Sequence, residues 1–293
     1  MQLAWRSLYG QVNYAYRIGK YEVTAGQYAA FLNAIADTDT YSLYNENMAD
    51  TSAFGPGISQ NGSSGSYTYT VDSDFINRPM TRVSFGGAIR FANWLHNGQP
   101  TGAQGVGTTE DGAYSINGAN TNSAVQAVNR NSGWQWAVTS EDEWYKGAYY
   151  NPDGSNYYLY PTGSNAQPGR SVDDASGNSA NYYTGSAPYP IDSPLYTTPV
   201  GEFQDSDSPY GTFDQGGNLF EWTEAKLGQT RVLRGGAFNS TNYDLLSTTR
   251  AYTDFPLGTQ ISLGFRVVAV PEPASIGIVG LGVMWVTLRR KVS

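Results

Sequence analysis

The chain has 293 residues, enough to bury a full core as one large domain or two small ones. Only 14% of them are charged while 14% are aromatic, a composition that excludes a disordered chain. A net charge of −8 argues against nucleic acid as a partner, and a content of no Cys and one His excludes disulfides, zinc ribbons, thiol nucleophiles and any mononuclear metal site built on several imidazoles of one chain.

Residues 1–13 lack a basic stretch followed by an apolar run, so they do not read as a signal peptide; a leader or a truncated start is expected there. Residues 16–23 read as a strand. Thr24 followed by Gln27 forms a capping-box pattern, which predicts a helix with Tyr28, Phe31, Leu32 and Ile35 on one face. Ser84 is placed to cap a second helix that presents Ala88, Phe91 and Leu95 and ends at Asn97-Gly98. His96 stands at its C-terminus, where a basic side chain suits the free carbonyls and the dipole. Ser140 and Glu143 form a second capping box, opening a short helix with Trp144 and Ala148. Residues 101–133 and 151–198 are rich in Gly, Asn, Ser and Thr, and loops of that length are usually functional or ion-stabilised. Asp205 and Asp207 look like half an EF-hand loop but lack its Gly and closing Glu, so they read as a solvated turn. Late strands are predicted over 231–233 and 264–270.

Between those loops and strands lies Asp214-Gln215-Gly216-Gly217-Asn218-Leu219-Phe220-Glu221-Trp222, in which two carboxylates bracket a Gly-Gly turn. Calcium takes about 6–8 oxygens from carboxylates, carbonyls and water, and glycines let carbonyls point inward. A general acid/base pair is the rival reading, and it requires environments that split the two pKa values. Ser240 invites a nucleophile reading, but a nucleophilic Ser needs a positioned base and His96 is distant in sequence. Arg234 and Arg266 suit pairing with buried carboxylates, and binding of substrate is the alternative.

The C-terminus carries Pro271-Glu272-Pro273, an uncharged run over 274–288, then Arg289-Arg290-Lys291. Fifteen residues of helix span roughly 22 Å at about 1.5 Å each, short of a bilayer core of about 30 Å; flanking residues and snorkelling cations close that gap. A short transmembrane helix is therefore expected, with the basic end cytoplasmic and residues 1–268 outside. This tail resembles the PEP-CTERM sorting signal of Gram-negative bacteria. The resemblance implies export to the cell envelope or surface, an exosortase-type sorting enzyme as partner, cleavage near the motif, and an N-terminal signal peptide, which this start does not show.

In the body, the ordered series is Tyr21-Glu22-Val23-Thr24, Pro79-Met80-Thr81-Arg82-Val83-Ser84, Asn93-Trp94-Leu95, Thr139-Ser140-Glu141-Asp142-Glu143-Trp144, Gly217-Asn218-Leu219-Phe220-Glu221-Trp222, Arg234-Gly235-Gly236-Ala237-Phe238 and Leu263-Gly264-Phe265-Arg266. It resembles the formylglycine-generating enzyme, or sulfatase-modifying factor, family. The implied organisation is a leader or truncated start over 1–13, the family domain over 14–268 and the sorting signal over 269–293. The implied fold is α+β, a loop-rich variant of the C-type lectin fold with structural calcium. By resemblance one calcium site uses the side chains of Asp214 and Glu221 with the carbonyls of Gly217 and Leu219. A second uses the side chains of Asn181 and Asp192 with the carbonyls of Tyr182 and Pro194.

The family oxidises a cysteine of a target sulfatase with two copper-binding cysteines. Aligning on Gly235-Gly236-Ala237-Phe238 puts those positions at Ser240 and Leu245, neither of which offers soft copper a thiolate. An ergothioneine-synthase-like branch holds iron with several His, whereas this chain has only His96. Copper and iron are therefore not expected. The expectation is a surface-associated binding or structural module, with exopolysaccharide or another envelope component as partner by fold analogy. The alternative is a divergent metal-dependent oxidoreductase that uses residues other than cysteine.

Overall fold

Capping side chains fix the helices where the sequence places them. In the computed structural model, which describes residues 9–52, 54–154, 156–186, 190–250, 252–271 and 285–288, β1 (Tyr16–Gly19) leads into α1 (Ala25–Ile35). Thr24 Oγ1 accepts from Gln27 N at 3.2 Å and Gln27 Oε1 accepts from Thr24 N at 3.0 Å, closing the box. A single 3₁₀ turn (Glu46–Ala49) and the hairpin of β2 (Ile58–Asn61) with β3 (Thr68–Val71) follow. The second helix, α2 (Phe85–His96), starts where Ser84 Oγ accepts from Gly87 N at 3.0 Å.

The expected loop over 101–133 contains a six-residue helix, α3 (Asn122–Ala127), capped by Thr121 Oγ1 on Ala124 N at 3.2 Å. Then come β4 (Trp136–Val138), α4 (Glu141–Tyr149), and the two-residue strands β5 (Tyr150–Asn151) and β6 (Asn156–Tyr157). Ser140 and Glu143 close the second capping box at 3.2 and 2.6 Å. The last third supplies β7 (Phe220–Leu227), β8 (Thr230–Arg234), β9 (Thr253–Asp254), β10 (Leu263–Gly264) and β11 (Val267–Ala269).

One sheet has the order β1-β11-β4, all antiparallel, with Arg17 opposite Ala269 and Val267 opposite Val138, so the start and end of the body are zipped together. The other runs β10-β7-β8-β9, with β10 parallel to β7 and the rest antiparallel. The expected strand over 264–270 is broken at Phe265-Arg266. Phe265 turns into the core against Phe91, ring centroids 5.4 Å apart, and Arg266 turns into the site described below. In the core α1 meets α2 through Tyr28, Phe31, Phe91 and Trp94, which pack at 5.3–6.1 Å between centroids beside Leu32, Ile35, Ala88 and Ile89.

The expected transmembrane helix is not borne out. Residues 274–284 lie outside the described residues, as do Glu272 and Pro273 of the sorting motif. Residues beyond them form β12 (Trp285–Leu288), which pairs antiparallel with β1 from Tyr16 opposite Leu288 to Gly19 opposite Trp285. Among the described residues no helix is long and apolar enough to cross a membrane. The physical reason for the strand is that β1, covered by β11 on one side, has unpaired backbone groups on the other, and Trp, Val and Thr favour extended backbone.

Candidate functional site

The loop that precedes β7 is built from left-handed residues: Asp214 at φ 59°, Gly217 at 86° and Asn218 at 58°. At Gly217 a Cβ would fall 2.2 Å from the Asn181 carbonyl oxygen, so only glycine lets the 181 segment close over the turn. The closure is held by Asn218 N donating to Asn181 O at 2.8 Å and Gly217 N donating to Gly235 O at 2.9 Å. Asp214 Oδ2 accepts from Gly201 N at 2.6 Å.

The charges of three carboxylates, Glu22, Asp214 and Glu221, all act on one guanidinium, Arg266. Glu221 and Arg266 are both 0% exposed and form a two-armed pair, Nη2 to Oε1 at 2.6 Å and Nε to Oε2 at 2.7 Å. Trp144 Nε1 donates to Glu221 Oε2 at 2.8 Å. Arg266 also donates to Gly19 O at 3.0 Å and Phe213 O at 2.9 Å. Glu22 is 2% exposed, and neither of its oxygens has a hydrogen-bond partner. The Asn218 amide, which donates from Nδ2 to Thr198 O at 3.3 Å, also acts on the Glu22 carboxyl and lowers its pKa. Burial, then the charges of Asp214 and Glu221, push the Glu22 carboxyl well above its ordinary range. Burial likewise pushes Asp214 up to about 6. Negative charge in excess of its counterion, in a dry place, calls for protons or a cation.

The side chains here offer oxygen alone: the carboxylates of Glu22 and Asp214, that of Glu221 shared with Arg266, and the buried Asn181 Oδ1, which has no partner. That set fits a hard cation such as calcium and offers nothing to soft copper. Among the described residues no group of three His, Cys, Asp or Glu side chains is arranged to hold a metal by itself, so carbonyls and amides would have to complete the shell. Glu22 is the residue that sequence reasoning missed. Its signal was a carboxylate between Tyr21 and Val23 in a segment otherwise read as strand.

The second expected set is divided. Asn181 faces the first loop, donating from Nδ2 to Tyr196 O at 2.8 Å and Asn218 Oδ1 at 3.1 Å. Tyr182 packs with Tyr160, Ala180 and Leu245. Asp192 pairs with Arg78 and remains 46% exposed, on the turn that holds Pro194 and closes through Leu195 N to Asp192 O at 2.8 Å.

Ser240 and Leu245 part company as well. Leu245 is fully buried beneath the Gly216 and Gly236 turns. Ser240 Oγ accepts from Ala237 N at 3.1 Å and lines an open cleft of about 490 Å³ between β7, β8 and the chain over 239–262. Asp244, Tyr252 and Asp254 line it too. His96 is no part of this cleft: its Nδ1 accepts from Gln135 N at 3.1 Å, and burial lowers its pKa. Arg234 is paired with Glu141 at 2.6 and 2.8 Å, so Arg234, like Arg266, holds a buried carboxylate.

A PEP-CTERM protein-sorting motif matches residues 269–291, which implies recognition by an exosortase-type sorting enzyme and export to the cell envelope. No curated protein matches the sequence. Among solved structures the chain is similar to CarF, at 18% identity and a TM-score of 0.53 over 88% of this chain and 87% of that one. It is similar to Treponema denticola variable protein 1, at 18% identity and 0.52 over 91% and 92%. These likenesses establish the fold alone: mixed α and β, rich in loops. The sulfatase-modifying factor enzyme 1-like domain matches residues 11–270, nearly the whole described body with every motif above, and the chain belongs to that family.

Proposed function

We propose that the protein is an exported binding or structural module of its family, stabilised by calcium, that does not carry out the family's copper-dependent oxidation. The observation that carries this reading is the fate of the two family cysteine positions. One is Ser240, whose hydroxyl accepts from a backbone amide, and the other is Leu245, sealed in a core cluster. Calcium would be held by the side chains of Asp214 and Glu221 with the carbonyls of Gly217 and Leu219, and Glu22 would join them on a shift of its side chain, since no three acidic side chains among the described residues are arranged for a metal as they stand. The loop formed by Asn181, Tyr182, Asp192 and Pro194 would hold a second ion only if Asp192 left Arg78. Before processing the basic tail end would be cytoplasmic, and cleavage would fall near Pro271. The partner class is an envelope polymer such as exopolysaccharide.

The test is oxygen consumption by the purified body loaded with copper or iron, with a cysteine-containing peptide as reductant and substrate. No turnover above free metal is expected. Stoichiometric metal binding with thiol-dependent oxygen uptake would establish the competing reading, a divergent oxidoreductase working from the same cleft.

A further inference from the structure

The cleft beside Ser240 has a lining with a definite chemistry. Five lining residues carry hydroxyls, Ser240 and Tyr252 among them; Asn239 and Gln260 add amides, Asp244 and Asp254 carboxylates, and none is Lys or Arg. The Asp244 carboxylate accepts from Thr241 N at 3.2 Å, which orients the acceptor, and the Tyr252 hydroxyl acts on it and lowers its pKa. The Tyr252 ring lies on Phe220 with centroids 4.5 Å apart. Large apolar side chains are normally withdrawn from water. Here Tyr252, in the lining, is 43% exposed, and Tyr243 and Phe255, each next in sequence to one of the two aspartates but outside the lining, are 68% and 51% exposed.

We propose that this cleft binds a neutral saccharide, with Asp244 and Asp254 accepting sugar hydroxyls and the exposed ring of Tyr252 covering the apolar face of a sugar ring. Hydroxyls and amides both donate and accept, as sugar hydroxyls do, and aromatic faces supply apolar area at small cost in side-chain freedom. A lining with two carboxylates and no cation repels sulfated or uronic chains and leaves uncharged ones. The inference rests on the binding-module reading and names its ligand class.

The test titrates the intact soluble body with cellotetraose, maltotetraose and mannotetraose, with an oligomannuronate and spermine as charged probes, followed by calorimetry and tyrosine fluorescence. At least one neutral tetrasaccharide is expected to bind, with an affinity unchanged between low and high salt. Tyr252→Ala and Asp244→Asn should each weaken it by about tenfold or more, and Tyr252→Phe, which keeps the ring, by less. Unchanged melting curves for Asp244→Asn and Tyr252→Phe separate lost contacts from lost folding. Failure of all three neutral probes, binding of spermine alone with steep loss in salt, or full affinity in both Asp244→Asn and Tyr252→Ala would overturn the proposal. If no probe binds and no oxygen is consumed, the ligand class falls while the non-oxidase reading stands.

Discussion

Arg266 and Glu221 meet through two hydrogen bonds, 2.6 and 2.7 Å long, with both side chains wholly out of water. The pair joins the first residues of β7 to the break between β10 and β11, and Trp144 of α4 donates to the same carboxylate. Removing one partner of such a pair leaves a buried charge uncompensated, and here Glu22 and Asp214 add two more carboxylates nearby. Arg266→Met is expected to lower stability by about 3–5 kcal/mol in urea unfolding at neutral pH. Arg266→Lys should rescue little of it, because an ammonium cannot make the fork to Glu221 and also reach Gly19 O and Phe213 O.

Calcium bound only by the native state should raise the melting temperature, by about 2.7 kcal/mol of stability at a hundredfold excess over Kd. Glu221→Ala is a poor probe of this, because it breaks the Arg266 pair whether or not calcium is present. Glu22→Gln is the clean one. It replaces a buried carboxyl that burial already drives toward its neutral form, so the metal-free variant should melt no lower than the parent, while the gain on adding calcium should largely vanish. Equal gains in parent and variant would take Glu22 out of the ion's shell. A melting curve of the parent unmoved by chelator would remove calcium altogether.

Arg130 serves two carboxylates, Glu143 at 2.8 Å through both arms and Glu224 at 2.7 Å through Nε. Burial pushes Glu143 up, but Arg130 together with hydrogen bonds from Tyr14 and the Ser140 amide outweighs it and holds the group below its ordinary value of 4.5. A depressed carboxylate contributes stability that is full above its unfolded pKa and is lost as pH falls through the folded one. Arg130→Met leaves both carboxylates buried without a counterion, and protonation is then their relief. The variant should lose about 3–5 kcal/mol at pH 7, and distinctly less at pH 4, as measured by parallel urea titrations. A pH-independent loss would mean that Arg130 matters for its packing on Trp134 rather than for charge.

Gly217→Ala puts a methyl 2.2 Å from the Asn181 carbonyl at a residue with φ 86°. Left-handed backbone costs an L-residue roughly 1–2 kcal/mol and forced overpacking about 1–3 more, so a loss of about 2–5 kcal/mol in thermal or urea unfolding is expected. Gly228→Ala, left-handed at φ 59° but with nothing within 4 Å, is the control that reads the backbone part alone.

The sequence by itself determined the helix starts, because capping is a contact between residues three apart: Thr24 with Gln27, Ser84 with Gly87, Ser140 with Glu143. It also determined the family, through the order of short motifs, and the lack of any cysteine thiolate, since the chain has no Cys. The helix of 122–127 escaped because six residues inside a polar stretch carry too little apolar periodicity to be read. The tail strand of 285–288 escaped because a neighbour's open edge, which no local pattern records, decides between helix and strand.

The carboxylate site was half legible. Asp214 and Glu221 were found from their loop, but Glu22 stands some two hundred positions away in sequence, and Arg266 is 45 from Glu221. Which carboxylate is neutralised by an arginine and which is left without a partner depends on how β1, β7 and β10 pack. Only the tertiary structure made that choice. The same holds for the cleft: Phe220, Asp244, Tyr252 and Gln260 gain a common chemistry only when β7, β8 and β9 form one sheet, since it is the sheet that sets the distances between them.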